Sequence, residues 1–379
     1  MGLYTDYINR GMTIEQITDE RKGQLARISQ LRGRDILVYA SDISKAGAPI
    51  SIVYADLLPF QDQLSQICTP DIDIILETPG GYAEVVEDMV NLVRSKFQRV
   101  GVIIPGSAKS AGTIFAMAGD EILMGEASSL GPIDAQVQSN GKHISADAFI
   151  DGLEKIKQEI SETGRLHPVY LPMLNNISPG DLQHFENAQN FSRTLVRTWL
   201  SKYKFKYWEN HSTSGIAVTD EEKKARADDI AKQLCKHSNW LTHGRSIRIS
   251  NLSEMGLKVH DYMNDIELCD AITRYYTLLR MTFDMTGSHK IIETKGSQIY
   301  QSQNPPNPPK PINFDVSCDK CKTISKFQIN LGADFPLKNG HTLFPSSGFC
   351  FCPKCHTRLD LNPVKSEIEA KTGLKAVIK

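Results

Sequence analysis

Apolar positions along the chain switch between two periods, and the switching predicts an α/β protein. Ile36-Leu-Val-Tyr-Ala, Asp71-Ile-Asp-Ile-Ile-Leu-Glu, Arg99-Val-Gly-Val-Ile-Ile-Pro and Glu121-Ile-Leu-Met are short apolar runs that read as buried strands. Between them, residues 52–67, 83–97 and 111–118 read as helices, with Val85, Met89, Leu92 and Val93 on one face of the second. A further helix is predicted over 12–32, where Thr13 can cap and Ile14, Ile17, Leu25 and Ile28 are apolar. Strands alternating with helices imply a parallel sheet, whose sites usually lie at the C-terminal ends of the strands. Downstream, residues 139–180 are less regular and read as an insertion, and helices are predicted over 182–204, 230–241 and 266–281. Ser253-Glu-Met-Gly-Leu-Lys-Val reads as a helix stop feeding a strand.

Residues 284–312 change character, and Ser302-Gln-Asn-Pro-Pro-Asn-Pro-Pro-Lys-Pro predicts a stiff polar linker. The expected division is an N-terminal helical segment over 1–34, a catalytic-type α/β domain over 35–283 and the linker over 284–312. A cysteine-rich unit over 313–363 and a tail over 364–379 complete it.

Composition narrows the class. Of 379 residues, 40% are hydrophobic and 23% charged, an ordinary globular profile. The formal net charge of −1 supplies no global field for nucleic acid or an anionic membrane. No basic segment followed by an apolar run opens the chain, and no run of about 18 apolar residues occurs, so the expectation is a cytoplasmic protein without a membrane span. Gly2 is followed by Asp6 where a myristoylation motif wants Ser or Thr.

Two segments carry candidate chemistry. Thr78-Pro-Gly-Gly follows the second predicted strand, and consecutive glycines let backbone amides approach a ligand without an intervening Cβ. Such amides can stabilise a developing oxyanion. Pro105-Gly-Ser-Ala-Lys-Ser-Ala-Gly-Thr follows the third strand and places Ser110 where a turn becomes a helix, beside free N–H groups. Taken singly, Ser110 reads as a helix N-cap and Gly80-Gly81 as a turn. Their placement after consecutive strands favours a joint site.

Thr78-Pro-Gly-Gly together with the run from Gly106 to Val137, which contains Ser110-Ala-Gly and Gly131-Pro-Ile-Asp134, resembles the Clp/crotonase superfamily. Within it the chain is similar to the serine dehydrogenase proteinase family, related to signal peptide peptidase A and to Clp proteolytic subunits. The resemblance is specific over about residues 36–137 and resumes weakly around Trp240-Leu-Thr-His-Gly-Arg-Ser-Ile and Met255-Gly-Leu-Lys-Val. It implies a spiral of ββα units, hydrolysis of peptide or protein substrates through a serine, and a homo-oligomer. Carried over by position, Ser110 is the nucleophile and Gly80 and Gly81 form the oxyanion loop. Asp134 stands where the Clp branch keeps a histidine, and a carboxylate there can orient another group. Where the peptidase A branch keeps a lysine, this chain has Phe191 or Arg197. Candidate bases are therefore Lys155, followed by Lys142, Lys157, Lys202, His143 and His243. A competing reading is a catalytically inactive oligomeric scaffold that binds peptides or proteins in the same cleft. The Ser-Ala-Gly turn argues against a crotonase-type acyl-CoA enzyme, and no GxGxxG fingerprint predicts a nicotinamide cofactor.

The cysteines divide unevenly. Cys318-Asp-Lys-Cys321 and Cys352-Pro-Lys-Cys355 are two CxxC pairs, each able to supply two thiolates to one tetrahedral Zn2+. Cys350 and His356 are competing ligands that break the paired spacing. The expectation is a zinc ribbon with a structural ion, since so short a unit needs a staple. Lysines around it suggest a protein partner or, more weakly, a nucleic-acid partner.

Overall fold

A computed structural model describes residues 2–45, 47–139, 142–175, 177–211, 213–302, 310–372 and 376–377. The chain divides into two compact units, Met1–Ser302 and Gln303–Lys379.

In the first unit, α1 (Leu3–Asn9) precedes α2 (Ile14–Arg32), which opens on a capping box between Thr13 and Gln16. Then follow β1 (Asp35–Ser41), α3 (Leu57–Ser65), β2 (Asp71–Glu77), α4 (Ala83–Lys96) and β3 (Arg99–Ile104). A two-residue strand β4 (Ser107–Ala108), α5 (Ala111–Ala116), β5 (Glu121–Met124) and β6 (Ser129–Leu130) complete the region around the predicted motifs. β1, β2, β3 and β5 pair in parallel in that order, as the sequence pattern predicts. Alternate strand residues serve opposite faces of the sheet. Leu37, Ile74, Val102 and Ile122 join a core shared with α3, α4, α5 and later helices, whereas Val38, Ile75, Ile103 and Leu123 pack toward α2 and a C-terminal helix.

The insertion is more ordered than its sequence suggests. β7 (Gln136–Ser139) and β8 (Lys142–Ser145) pair as antiparallel strands, and α6 (Ala146–Thr163) follows, capped by Ser145. After the short α7 (Leu171–Leu174), α8 (Pro179–Trp199) runs into a wider π turn over Leu200–Lys204. The helix expected from 230 begins earlier, as α9 (Asp220–Cys235), because Thr219 and Glu222 form a capping box ahead of the apolar stretch. α10 (His237–Trp240), α11 (Ile249–Glu254), β9 (His260–Asp261) and α12 (Ile266–Met285) follow.

Two expectations are corrected. The helix predicted over 52–67 begins only at a 3-10 turn, Tyr54–Asp56, because Ile52 is used as a bridge to Gly81. Among its described residues, the linker predicted over 284–312 is mostly sheet: β10 (Ser288–Glu293) pairs antiparallel with β1, and β11 (Gln298–Ser302) pairs with β10. Residues 303–309 of that expected linker lie outside the described residues. The final sheet order is β11-β10-β1-β2-β3-β5-β9.

β10 was hidden by its charges. Lys290 is buried but donates to Asp56 and to the Ser51 carbonyl (2.6 Å). Glu293 is buried against Arg21 (2.9 Å). Each ion is balanced by a partner far away in sequence, so the strand tolerates polar residues that an isolated pattern reads as exposed.

In the second unit, β12 (Lys310–Ser317) and β13 (Ile324–Leu331) form an antiparallel pair, with β14 (Thr342–Leu343) parallel to β13. β15 (Phe349–Phe351) and β16 (Arg358–Asp360) form a second hairpin, and α13 (Asn362–Thr372) follows. Phe327, Ile329, Leu331, Phe344 and Leu361 make its small core.

Candidate active site

The site is built where β2 and β3 end. The segments after them are zipped together: Thr78 N–H donates to the Ser107 carbonyl (2.9 Å), and Lys109 N–H donates to the Thr78 carbonyl (2.9 Å). Beneath this seam, the buried Glu77 carboxyl accepts from Ser107 N–H (2.8 Å) and from the Tyr276 hydroxyl (3.1 Å). Burial pushes its pKa from 4.5 up to about 7.

Gly80 has φ of 106°, and a Cβ there would lie 2.7 Å from Ser110 Cβ and 2.8 Å from the Lys109 carbonyl oxygen. Gly81 is equally constrained, since a Cβ would come within 2.2 Å of the Ile52 carbonyl oxygen. The glycine loop is held on its other side by Ile52 N–H to the Gly80 carbonyl (2.7 Å) and by Tyr82 N–H to the Ile52 carbonyl (3.0 Å). The Lys290–Asp56 pair anchors this 51–56 segment from below.

Ser110 immediately precedes α5 and has φ 51° and ψ −117°. A non-glycine residue in such a conformation costs on the order of 1–3 kcal/mol, a strain that folds retain chiefly at functional sites. The hydroxyl makes no capping hydrogen bond to the helix it precedes. The plain N-cap role therefore does not account for this serine. Lys109, its neighbour, turns away and donates to the Leu130 carbonyl (3.0 Å), the Ser246 hydroxyl (3.0 Å) and the Arg245 carbonyl (3.3 Å). That bond set seats the 243–246 loop against the nucleophile turn.

Asp134 is buried on the next segment, which is tied back to α5 through Gly131 N–H and the Thr113 hydroxyl (3.0 Å). Its carboxylate accepts from the Ser145 hydroxyl (2.5 Å) and the Gln136 amide (3.0 Å) and lies 3.1 Å from His237 Nδ1. His243 Nδ1 stands 3.7 Å from the same carboxylate. Burial alone raises the Asp134 pKa, but His243, Ser145 and His237 outweigh it and hold the carboxyl below its ordinary value.

Of the residues expected from sequence, Ser110, Gly80 and Gly81 meet in one place. Asp134, read from sequence as a carboxylate able to orient another group, stands beside His237 and His243. Lys155 lies exposed on α6 and makes no hydrogen bond or ion pair among the described residues. The residue that sequence reasoning overlooked is His237. It is separated from Asp134 by 103 positions and has no local motif to flag it.

The second unit gathers Cys318, Cys321, Cys352 and Cys355, whose sulfurs all lie within 4.8 Å of one another. Cys318 Sγ is 3.5 Å from Cys355 Sγ, and Cys321 Sγ is 3.5 Å from Cys352 Sγ. The two knuckles repeat one another. Lys322 N–H returns to the Cys318 carbonyl (2.8 Å) and His356 N–H to the Cys352 carbonyl (2.9 Å), with φ of 59° at Lys322 and 58° at His356. His356 is thus a turn residue, and Cys350 packs with the neighbouring core. Four thiols so clustered can hold one metal ion.

No described helix is long and apolar enough to cross a membrane. Over 189 residues the chain is 26% identical to an uncharacterized protein of Methanocaldococcus jannaschii, covering 50% of this chain and 52% of that protein. The chain thus spans about half the length of this curated relative. A second uncharacterized protein of that organism is 38% identical over 66 residues, 17% of this chain and 23% of the relative. Among solved structures, a mutant of the 1510-N membrane-bound stomatin-specific protease aligns at 16% identity, covering 58% of this chain and 79% of that one, with a TM-score of 0.33. A ClpP1 mutant from Listeria monocytogenes aligns at 11% identity over 63% of this chain and 98% of that one, with a TM-score of 0.30. Residues 64–164, the stretch holding the glycine loop, Ser110 and Asp134, match the ClpP-like SDH-type serine proteinases, and there the chain carries the sequence signature of that family.

Proposed function

We propose that this protein is a serine peptidase in which Ser110 attacks the peptide carbonyl and His243, oriented by Asp134, takes the hydroxyl proton. The observation that carries the proposal is the strained, uncapped Ser110 pressed against Gly80. In this reaction the Oγ–carbon bond forms as the proton moves to the imidazole, and the oxyanion is met by amides of the Gly80-Gly81 loop. Collapse expels the amine, which receives that proton, and water then repeats the sequence on the acyl-serine. His243 is favoured over His237 because Lys109 seats its loop beside the nucleophile turn, while the His237 backbone is fixed by its main-chain N–H to the Asp147 carboxylate (2.7 Å). Assembly into a homo-oligomer belongs to the same reading.

The test is labelling with a fluorophosphonate probe. The wild type is expected to label, Ser110→Ala not at all, His243→Gln at least 100-fold more slowly, and His237→Gln within about 10-fold of wild type, for a general base of this type. A folded wild type that does not label would sink the peptidase reading. It would favour the inactive peptide-binding scaffold instead, a reading kept open because Ser110 Oγ makes no hydrogen bond to a base among the described residues.

For the second unit we propose structural Zn2+. With Zn–S near 2.3 Å, a tetrahedral site has sulfurs about 3.8 Å apart, and the thiols already stand close to that spacing. Four thiolates leave no position for water, so the ion would serve folding and not hydrolysis.

A further inference from the structure

The first unit holds a cavity of about 710 Å³ that no part of the peptidase proposal uses. It lies at the N-terminal ends of β3, β5 and β9, where Arg99, Glu121 and His260 begin their strands. Ser110 follows the other end of β3, about 17 Å away along five steps of extended chain. The cavity is of the size that encloses a small organic ligand, well beyond a single phosphate.

Its chemistry is one-sided. Arg99, Lys204, Arg226, Lys258 and His260 all line it. Among the described residues none of the five belongs to an ion pair. Two carboxylates also reach the cavity, but both are engaged from behind. Asp120 is held by Arg94 (2.8 Å) and by Val100 N–H (2.7 Å). Glu121 is gripped by Arg32 (2.7 Å) and Arg34 (2.6 Å), which hold its carboxyl at about 2. Burial, and then Lys204, lower the His260 pKa below its usual value, so the excess of cations facing the space comes from Arg99, Lys204, Arg226 and Lys258.

Lys204 is the most telling of them. It ends the π turn over Leu200–Lys204, and such local widening of a helix recurs at functional sites. Lys204 lines the cavity, and its ammonium donates to the Asp120 carbonyl (3.3 Å). Burial lowers the Lys204 pKa to about 8, so the group remains charged at neutral pH, and the Glu121 and Asp120 carboxylates favour its charged form without an ion-pair contact. A desolvated ammonium with no anion in contact is costly in a fold, and a bound anion would relieve that cost. Gly256, with φ of 78°, leaves room for a second cation: a Cβ there would meet the Arg226 guanidinium at 2.3 Å.

Beside the charges stand rings. Phe205, Tyr207 and Trp208 line the same space, and the Arg99 guanidinium lies 5.7 Å from the Tyr207 ring centroid. Guanidinium groups recognise phosphate through paired donors, and aromatic faces stack on heterocyclic bases.

We propose that this cavity binds a nucleotide, a ligand pairing a phosphate chain with a planar base, with Lys204 and Arg226 on the phosphates and Tyr207 and Trp208 against the base. A bare polyanion would leave the aromatic wall unused, and an uncharged aromatic molecule would leave the cations uncompensated. This reading is independent of Ser110.

The experiment is equilibrium binding of a fluorescent adenosine diphosphate analogue to the intact protein, followed by anisotropy in 150 mM salt, about physiological ionic strength. Saturable binding is expected, displaced by ADP at lower concentration than by inorganic pyrophosphate or adenosine. Lys204→Met and Arg226→Gln should each weaken it at least 10-fold, Tyr207→Ala should weaken it and erase the advantage of ADP over pyrophosphate, and Ser110→Ala should leave it unchanged. Far-UV circular dichroism and thermal melting establish that each variant is folded. Absence of saturable binding by the folded wild type would overturn the proposal. So would undiminished binding in both charge variants, equal competition by pyrophosphate and ADP, or tighter binding of a single-stranded oligonucleotide than of ADP.

Discussion

Glu77 offers the most quantitative test of how the nucleophile turn is held. Its carboxyl is buried under the seam between the two site loops and accepts from Ser107 N–H and the Tyr276 hydroxyl. Gly106 leaves the space it needs, since a Cβ at that position would come within 2.6 Å of Glu77 Oε2. Burial raises its pKa from 4.5 to about 7, so the folded state binds a proton that the unfolded chain has already lost between those values. Stability therefore falls as pH rises through this window and levels off above it. With about 1.4 kcal/mol for each tenfold change, the ionised carboxylate costs the fold about 3 kcal/mol above pH 7, and the loss between pH 5 and pH 8 is roughly 2.5 kcal/mol. Glu77→Gln keeps the shape and an acceptor for Ser107 N–H while removing the titration. Urea unfolding of both proteins at pH 5, 6, 7 and 8 measures the difference. The variant should gain on the wild type steadily from pH 5 to pH 8 and stop gaining above it. Parallel stability curves for the two proteins would refute the argument that this buried carboxyl titrates near neutrality.

Gly80→Ala should destabilise the first unit by about 2–4 kcal/mol, from strained backbone and from overlap with the nucleophile turn. It should also slow fluorophosphonate labelling at least 100-fold when measured on the fraction that remains folded. A labelling rate close to wild type would mean that Gly80 does not shape the Ser110 environment. Cys352→Ser should lower zinc content well below one ion per chain by elemental analysis and expose residues 303–379 to protease, because metal binding and folding are coupled in so small a unit. Unchanged metal content would remove Cys352 from the ligand set.

Part of this protein was legible before any coordinates because it rests on local chemistry. Buried parallel strands announce themselves as β-branched runs, and Thr78-Pro-Gly-Gly and Gly106–Ser110 announce turns that need small residues. The spacing within each CxxC pair encodes a knuckle, and the two knuckles close on one another as that spacing implies. In each case the residues that decide the structure lie within a turn of one another.

What the tertiary structure alone decided depends on partners far apart in the chain. Lysines and histidines alike were candidate bases from the sequence, and only the fold singles out His243, with the overlooked His237, by bringing both to Asp134 across more than 100 positions. β10 looked like the start of a linker because Lys290 and Glu293 interrupt its apolar pattern, yet Asp56 and Arg21 reach it from 234 and 272 positions away. The cationic cavity follows the same rule: its charges come from separate elements, and only folding shows that they converge on one space. Local sequence specifies turns and faces, because torsions and side-chain period act over a few residues. Compensation of buried charge acts through space, so it is decided by whichever groups the fold brings together.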